Sequence, residues 1–256
     1  MPTKRAIQRF LAYASRFSVN TQKHYRATLW RFYKNLPDYI DEVTPEHIDI
    51  FLGGLKMLNS SKNTVLIAIR SFYKYLEDYH DLPNIAEKVK DLPQNPPRQR
   101  VISEDEYRKI LAVCEPDEKA IITFLANTGL RVQELCDLSP SCVSPDRCYM
   151  TILGKGKRRS VPLNETARNC LDIVLSKSYK RDHLYYMCKI LSRRAAIIRF
   201  GPHSLRHRFC TALLKKNVPI AIVSKIMGHS SPIVTMKVYC HILLPDTLGA
   251  TDCLDG

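Results

Sequence analysis

Six side chains, met in the order Arg131, Lys155, His203, Arg206, His229 and Tyr239, carry the functional groups that phosphoryl transfer without a metal requires. The phenol of Tyr239 can act as nucleophile. Two guanidiniums, Arg131 and Arg206, can grip both nonbridging oxygens of a phosphate, because the planar fork matches that geometry and stays charged at any relevant pH. Lys155, His203 and His229 can move protons or donate to a phosphate oxygen. His203 and Arg206 stand three apart, hence on one helical face, with Pro202 at a position that suits a helix start. Glu134 follows Arg131 at the same spacing.

Each of these residues has a plainer reading when taken alone. Arg131 can be a surface arginine paired with Glu134 at i+3. His229, after the helix-ending Gly228, can be a hydrogen-bonded loop histidine. Tyr239 is one of thirteen tyrosines, most of which fill cores or rims. Lys155, in Gly154-Lys155-Gly156-Lys157, can sit at an exposed hairpin tip or touch phosphate nonspecifically beside Lys157, Arg158 and Arg159. That stretch lacks the G-x-x-x-x-G-K-[ST] pattern of a nucleotide-binding loop, which removes an ATPase. What singles the six out is that the set is complete.

The elements that must position them read clearly. Apolar stripes of helical period run through Leu29, Phe32, Tyr33 and Leu36, through Ile48, Phe51, Leu52 and Leu55, and through Val65, Ile69, Phe72, Tyr73 and Leu76. With a weaker helix near residues 4 to 14, and Thr44-Pro45 as a helix start, residues 1–82 predict a small helical bundle. Residues 83–100 hold Pro83, Pro93, Pro96 and Pro97 among polar residues and read as an extended linker. A second domain, 101–256, opens on a capping box from Ser103 to Glu106, with Ile102 and Tyr107 as a hydrophobic staple. It reads as mainly helical with one hairpin: Cys148 to Leu153, a turn holding Lys155, and a return from Arg159 to Leu163. Gly129 breaks the chain after the apolar helix Ile121 to Leu125, so that Arg131 starts the next helix. Leu205, Phe209 and Leu213 anchor the far side of the His203 helix, and Ser231-Pro232 opens a short helix that carries Tyr239.

Composition narrows the partner. Thirty-nine Lys and Arg against 25 Asp and Glu give a net charge of +14, which points to a polyanion. The excess is spread along the chain: 12 basic against 8 acidic residues in 1–82, 4 against 2 in 83–100, and 23 against 15 in 101–256. Both domains can therefore face the same polyanion. No apolar run reaches the length of a membrane span, and the start MPTKRAIQRF has no export signal, so a cytoplasmic, DNA-associated protein is expected. Nine cysteines from Cys114 to Cys253, with no C-x-x-C pair, read as reduced thiols and supply neither a disulfide framework nor a zinc site.

Taken together, the strings TGLRVQEL around Arg131, GKGKRRSVPL around Lys155, PHSLRHRF around Arg206, MGHSS around His229 and VYCH around Tyr239 resemble, in order, the tyrosine recombinases of the phage integrase family, most closely the Xer group. RSFYKYL, from Arg70 to Leu76, resembles that family's N-terminal domain, so the likeness spans the chain. It implies a helical, SAM-like core-binding domain and a mixed, mainly α catalytic domain that close on duplex DNA as a C-shaped clamp. It further implies cleavage by Tyr239 to a 3′-phosphotyrosyl link and a free 5′-hydroxyl, with His203 accepting or helping to move the proton, Lys155 as acid toward the 5′-oxygen, and His229 as donor to the phosphate. Glu134 orients its neighbours, and Lys157, Arg158, Arg159 and Arg208 are candidate DNA contacts.

No cofactor or metal is required on this reading. The partners expected are double-stranded DNA bearing an inverted-repeat site, further copies of the chain in a tetramer on two such sites, and an accessory DNA-bending or directionality factor. The role would be integration and excision of a mobile or viral element, or Xer-type dimer resolution. Rivals are a type IB topoisomerase and a DNA-binding regulator without catalysis. Three departures from the Xer pattern stand out: only about 40 residues from Leu163 to His203 with no Phe-Pro loop, one extra residue between His229 and Tyr239, and a 17-residue tail with Pro245 and Gly249 that is ill suited to a helix swapped between protomers.

Overall fold

The computed structural model describes residues 1–93, 100–154 and 157–229, together with Ser231, Ile233 and Met236. Contacts divide the chain into two compact units, Met1–Pro97 and Arg98–Gly256. No helix among the described residues is long and apolar enough to cross a membrane.

Four helices build the first unit: α1 (Thr3–Tyr13), α2 (Val19–Tyr33), α3 (Pro45–Gly54) and α4 (Asn59–His80). The apolar stripes meet in one core, where Phe10 packs edge-on against Phe72 at 5.5 Å and Phe32 lies 4.9 Å from Phe51. Thr44 and Pro45 start α3 as their types suggest, and the His47 ring accepts the Thr44 backbone N–H at 3.1 Å.

The proline-rich stretch departs from an extended linker over its first half. A single 3-10 turn, Ile85–Glu87, leads into it, and Ala86 and Val89 are buried in the first unit's core. The Asn63 side chain pairs with the backbone of Leu92 in both directions, at 2.9 Å each, as a neighbouring strand would. Arg70 donates to Val89 O at 2.6 Å and to Asp91 at 2.7 Å. Counting prolines and polar residues hid this anchorage, because two small apolar side chains and three polar ones on α4, Asn59, Asn63 and Arg70, are enough to hold the segment.

The second unit contains α5 (Glu104–Ala112), α6 (Pro116–Thr128), α7 (Val132–Cys136), strands β1 (Tyr149–Gly154) and β2 (Lys157–Pro162), then α8 (Glu165–Leu175), α9 (Arg181–Arg194), α10 (Pro202–Lys215) and α11 (Ile220–Met227). Ser103 and Glu106 form the expected reciprocal cap on α5, and Ile102 and Tyr107 are both buried beside it. Apolar residues of α6, α8, α9 and the hairpin share one core. The strands pair antiparallel from Tyr149↔Pro162 to Gly154↔Lys157, longer by a residue or two on each side of the turn than composition suggests. Met150, Ile152 and Val161 point inward. Since side chains alternate across a strand, Arg159 shares the inward face of Val161.

Candidate active site

The break after α6 is enforced by Gly129, whose φ of +61° places it in the left-handed region that ends helices. A Cβ there would lie 2.3 Å from the Phe209 ring, so α10 packs directly on this backbone. Arg131 is consequently the N-cap of α7, and its N–H donates to the Glu134 carboxylate at 2.7 Å. Its guanidinium donates to the same carboxylate at 2.9 Å and to Gly228 O at 2.8 Å. The side chain is 27% exposed and so opens partly to solvent.

Glu134 is the anionic centre of the cluster. Arg159 forks onto it with both Nη atoms, at 2.6 and 2.7 Å, in the bidentate geometry that makes such pairs strong. Burial alone would raise this carboxyl. The Arg159 hydrogen bonds, the Arg131 N–H and the two positive charges outweigh burial and hold it at about 2.

Arg206, on α10, is 5% exposed and donates to Gly129 O at 2.5 Å and to Met227 O. Arg159 Nε reaches Ile226 O at 2.8 Å. Three successive carbonyls at the end of α11, those of Ile226, Met227 and Gly228, thus each receive a different arginine. These carbonyls have no partner within a helix and lie at its negative end, which is where cations are most favourable. Gly228, with φ +63°, turns the chain out of α11, and a Cβ on it would sit 2.8 Å from Arg159 Cδ.

Histidines ring the guanidiniums. His203, at the exposed start of α10, has its pKa lowered by partial withdrawal from water, then by Arg206, Arg131 and Arg181. His229 is half-buried and pushed down to about 4 by burial, then by Arg206, Arg131, His207 and Arg159. Burial, with His203 and Arg206, likewise takes His207 to about 4. All three are neutral at pH 7 and able to accept a proton or donate a hydrogen bond.

The fold therefore gathers Arg131, Glu134, His203, Arg206 and His229 from three separate segments. Lys155 and Tyr239 lie outside the described residues; beyond His229, the Ser231 hydroxyl accepts the Ile233 N–H at 3.2 Å, as a helix-opening serine does. Lys157 and Arg158 are exposed on β2. Two expected DNA contacts are otherwise engaged. Arg159 is 8% exposed and committed to Glu134 and Ile226, because strand alternation turns it inward. Arg208 stacks 3.8 Å over the Tyr107 ring and pairs with Glu104 at 2.8 Å, joining α10 to α5. The signal for Arg159 was in the sequence, two residues before the inward Val161. His207 was visible only as part of the pentad His203-Ser204-Leu205-Arg206-His207.

Comparison with known proteins agrees with this geometry. Residues 100–244 match the phage integrase family, and residues 7–80 match the phage integrase N-terminal SAM-like domain. Tyrosine recombinase XerA of Thermococcus onnurineus is 34% identical over 209 residues, 72% of this chain and 71% of its own length. Tyrosine recombinase XerD of Oceanobacillus iheyensis is 29% identical over 91% of both chains. In fold the chain is similar to a lambda integrase fragment, residues 75–356, solved as a dimer on a COC′ core site, with a TM-score of 0.79, 16% identity and coverage of 93% and 95%. The Tn1549 transposon integrase, solved with a circular intermediate DNA, gives 0.78 at 15% identity, covering 93% of this chain and 94% of its own. The chain belongs to the phage integrase family of tyrosine recombinases, enzymes of site-specific recombination that transfer DNA strands.

Proposed function

We propose that the chain exchanges strands between two DNA duplexes through a covalent 3′-phosphotyrosyl intermediate on Tyr239. Residues 1–82 would grip the duplex, 101–256 would cleave it, and 83–100 would join the two. The observation that carries this reading is the convergence of Arg131, Arg206 and His229 at the end of α11, with His203 at the start of α10 near enough to feel both guanidiniums.

A phenol with an ordinary pKa of about 10 must lose its proton as it attacks phosphorus. Arg131 and Arg206 would bracket the nonbridging oxygens and neutralise the charge that builds there. Neutral His203 would take or relay the phenolic proton, neutral His229 would donate to a phosphate oxygen, and Lys155 would protonate the departing 5′-oxygen. Glu134 holds Arg131 in place and stays ionised at neutral pH. Because the phosphotyrosyl bond retains the energy of the phosphodiester, a second 5′-hydroxyl can reseal the strand without ATP. Four protomers on two inverted-repeat sites would complete exchange, aided by an accessory directionality factor, in element integration and excision or in dimer resolution. Lys157 and Arg158, exposed on β2, would contact phosphates and contribute to salt-dependent binding.

The test is a duplex nicked beside the cleavage point, so that the short fragment diffuses away and the covalent adduct accumulates. Wild type should give an adduct that maps to Tyr239, and Tyr239→Phe should give none while binding DNA equally well. An undiminished adduct in the Phe variant overturns the assignment.

A further inference from the structure

The Arg159 side chain is spent entirely inside the protein. Its methylene stem lies against Gly228, where a Cβ would come within 2.8 Å of Cδ. Its guanidinium makes three charge-assisted bonds, two to Glu134 and one to Ile226 O. Glu134 in turn holds Arg131, and Arg131 returns to Gly228 O. The result is a closed ring: β2 to α7 through Arg159 and Glu134, α7 to the end of α11 through Arg131, and α11 back to β2 through Ile226. Gly154 borders the same ring, since a Cβ on it would lie 2.9 Å from Glu134 and 3.1 Å from Arg159. Two members of the proposed chemistry hang from this ring. Arg131 is fixed at its carboxylate end, and His229 follows Gly228 directly.

We propose that Arg159 is a positioning residue for strand cleavage: buried away from DNA, it sets the angle of the Arg131 guanidinium through Glu134 and the seat of His229 through the end of α11. This rests on the reading of Tyr239, Arg131 and His229 given above. Lysine cannot replace it. An ammonium is a point charge on a flexible stem, unable to present a planar pair to the carboxylate while a third donor reaches the Ile226 carbonyl. The ring would slacken, and displacement of a reacting group by about 1 Å costs roughly a hundredfold in rate.

The experiment compares wild type, Arg159→Lys, Glu134→Gln and the double variant of the full chain by thermal melting, affinity for the nicked duplex, and single-turnover adduct formation at saturating DNA. Each single variant is expected to bind DNA within about twofold of wild type and to form adduct about 10- to 100-fold more slowly. The double variant should be no slower than the slower single, because both changes open the same ring. A merely structural arginine would lower the melting temperature and leave the saturated rate per folded molecule untouched. That result, or losses that multiply in the double variant, overturns the proposal. Should Arg159→Lys fail to fold, the rate of Glu134→Gln decides alone. If wild type gives no adduct at all, the parent reading fails and this one with it; a normal wild-type rate matched by a folded Arg159→Lys refutes positioning only.

Discussion

Glu134 makes the stability of the second unit depend on acid in a calculable way. Its carboxyl sits at about 2 against an ordinary value of 4.5, and its side chain is 5% exposed, so solvent does little to screen the effect. At about 1.4 kcal/mol per tenfold change in acidity, that separation corresponds to about 3 kcal/mol. The folded pKa is depressed, so this stabilisation is fully present above pH 4.5 and is lost as pH falls toward 2. Roughly 2 kcal/mol of it should be gone by pH 3. Glu134→Gln removes the titrating group and turns an amide N–H toward one of the two arginines. Loss of one partner from a buried ion pair costs about 3–5 kcal/mol, so the variant should be less stable by an amount of that order at pH 7. Urea denaturation of wild type and variant at half-unit steps from pH 7 to pH 2.5 isolates the term, because the other carboxylates titrate equally in both. The stability difference should stay constant down to about pH 5 and then shrink by about 2 kcal/mol by pH 3. Two parallel curves would mean that Glu134 is not the buried, doubly paired anion described here.

Three further outcomes are expected. The His229 imidazole, pushed down to about 4, should stay neutral as pH falls from 7 to about 5, so its ring-proton NMR signals should not move over that range; a titration of His229 centred near 6.5 contradicts the buried site described here. Gly228→Ala should lose about 1–2 kcal/mol for the left-handed backbone alone, with slower cleavage, as Arg159 Cδ is too firmly held to yield. Gly53→Ala, in open space on α3, should instead gain about 0.5–1 kcal/mol, and equal effects of the two changes would refute the packing argument.

Much of this was legible from letters because local physics decided it. The stripe from Ile69 to Leu76 could only be one face of α4, Ser103 and Glu106 could only cap one another, and Gly129 and Gly228 ended helices where nothing else serves as well. Arg159 was misread because its neighbours Lys157 and Arg158 made it look like one member of an exposed basic run, whereas the period of two from Val161 fixed its direction. The segment from Pro83 to Pro93 was misread because its anchors, Asn63 and Arg70, lie on another element. The partners of the three arginines left no trace at all. They are backbone carbonyls 97, 67 and 21 residues distant, and a carbonyl is the same on every residue.

Gly154 and Gly228 press against the cationic cluster, and Gly129 against the Phe209 ring, so closely that none of the three can gain a methyl group without moving a neighbour. The pocket is in this sense already full, and descendants of this chain cannot retune it from within. Substitution meets less resistance at outward positions such as Lys157 and Arg158, whose exposed side chains can change without repacking the residues beneath.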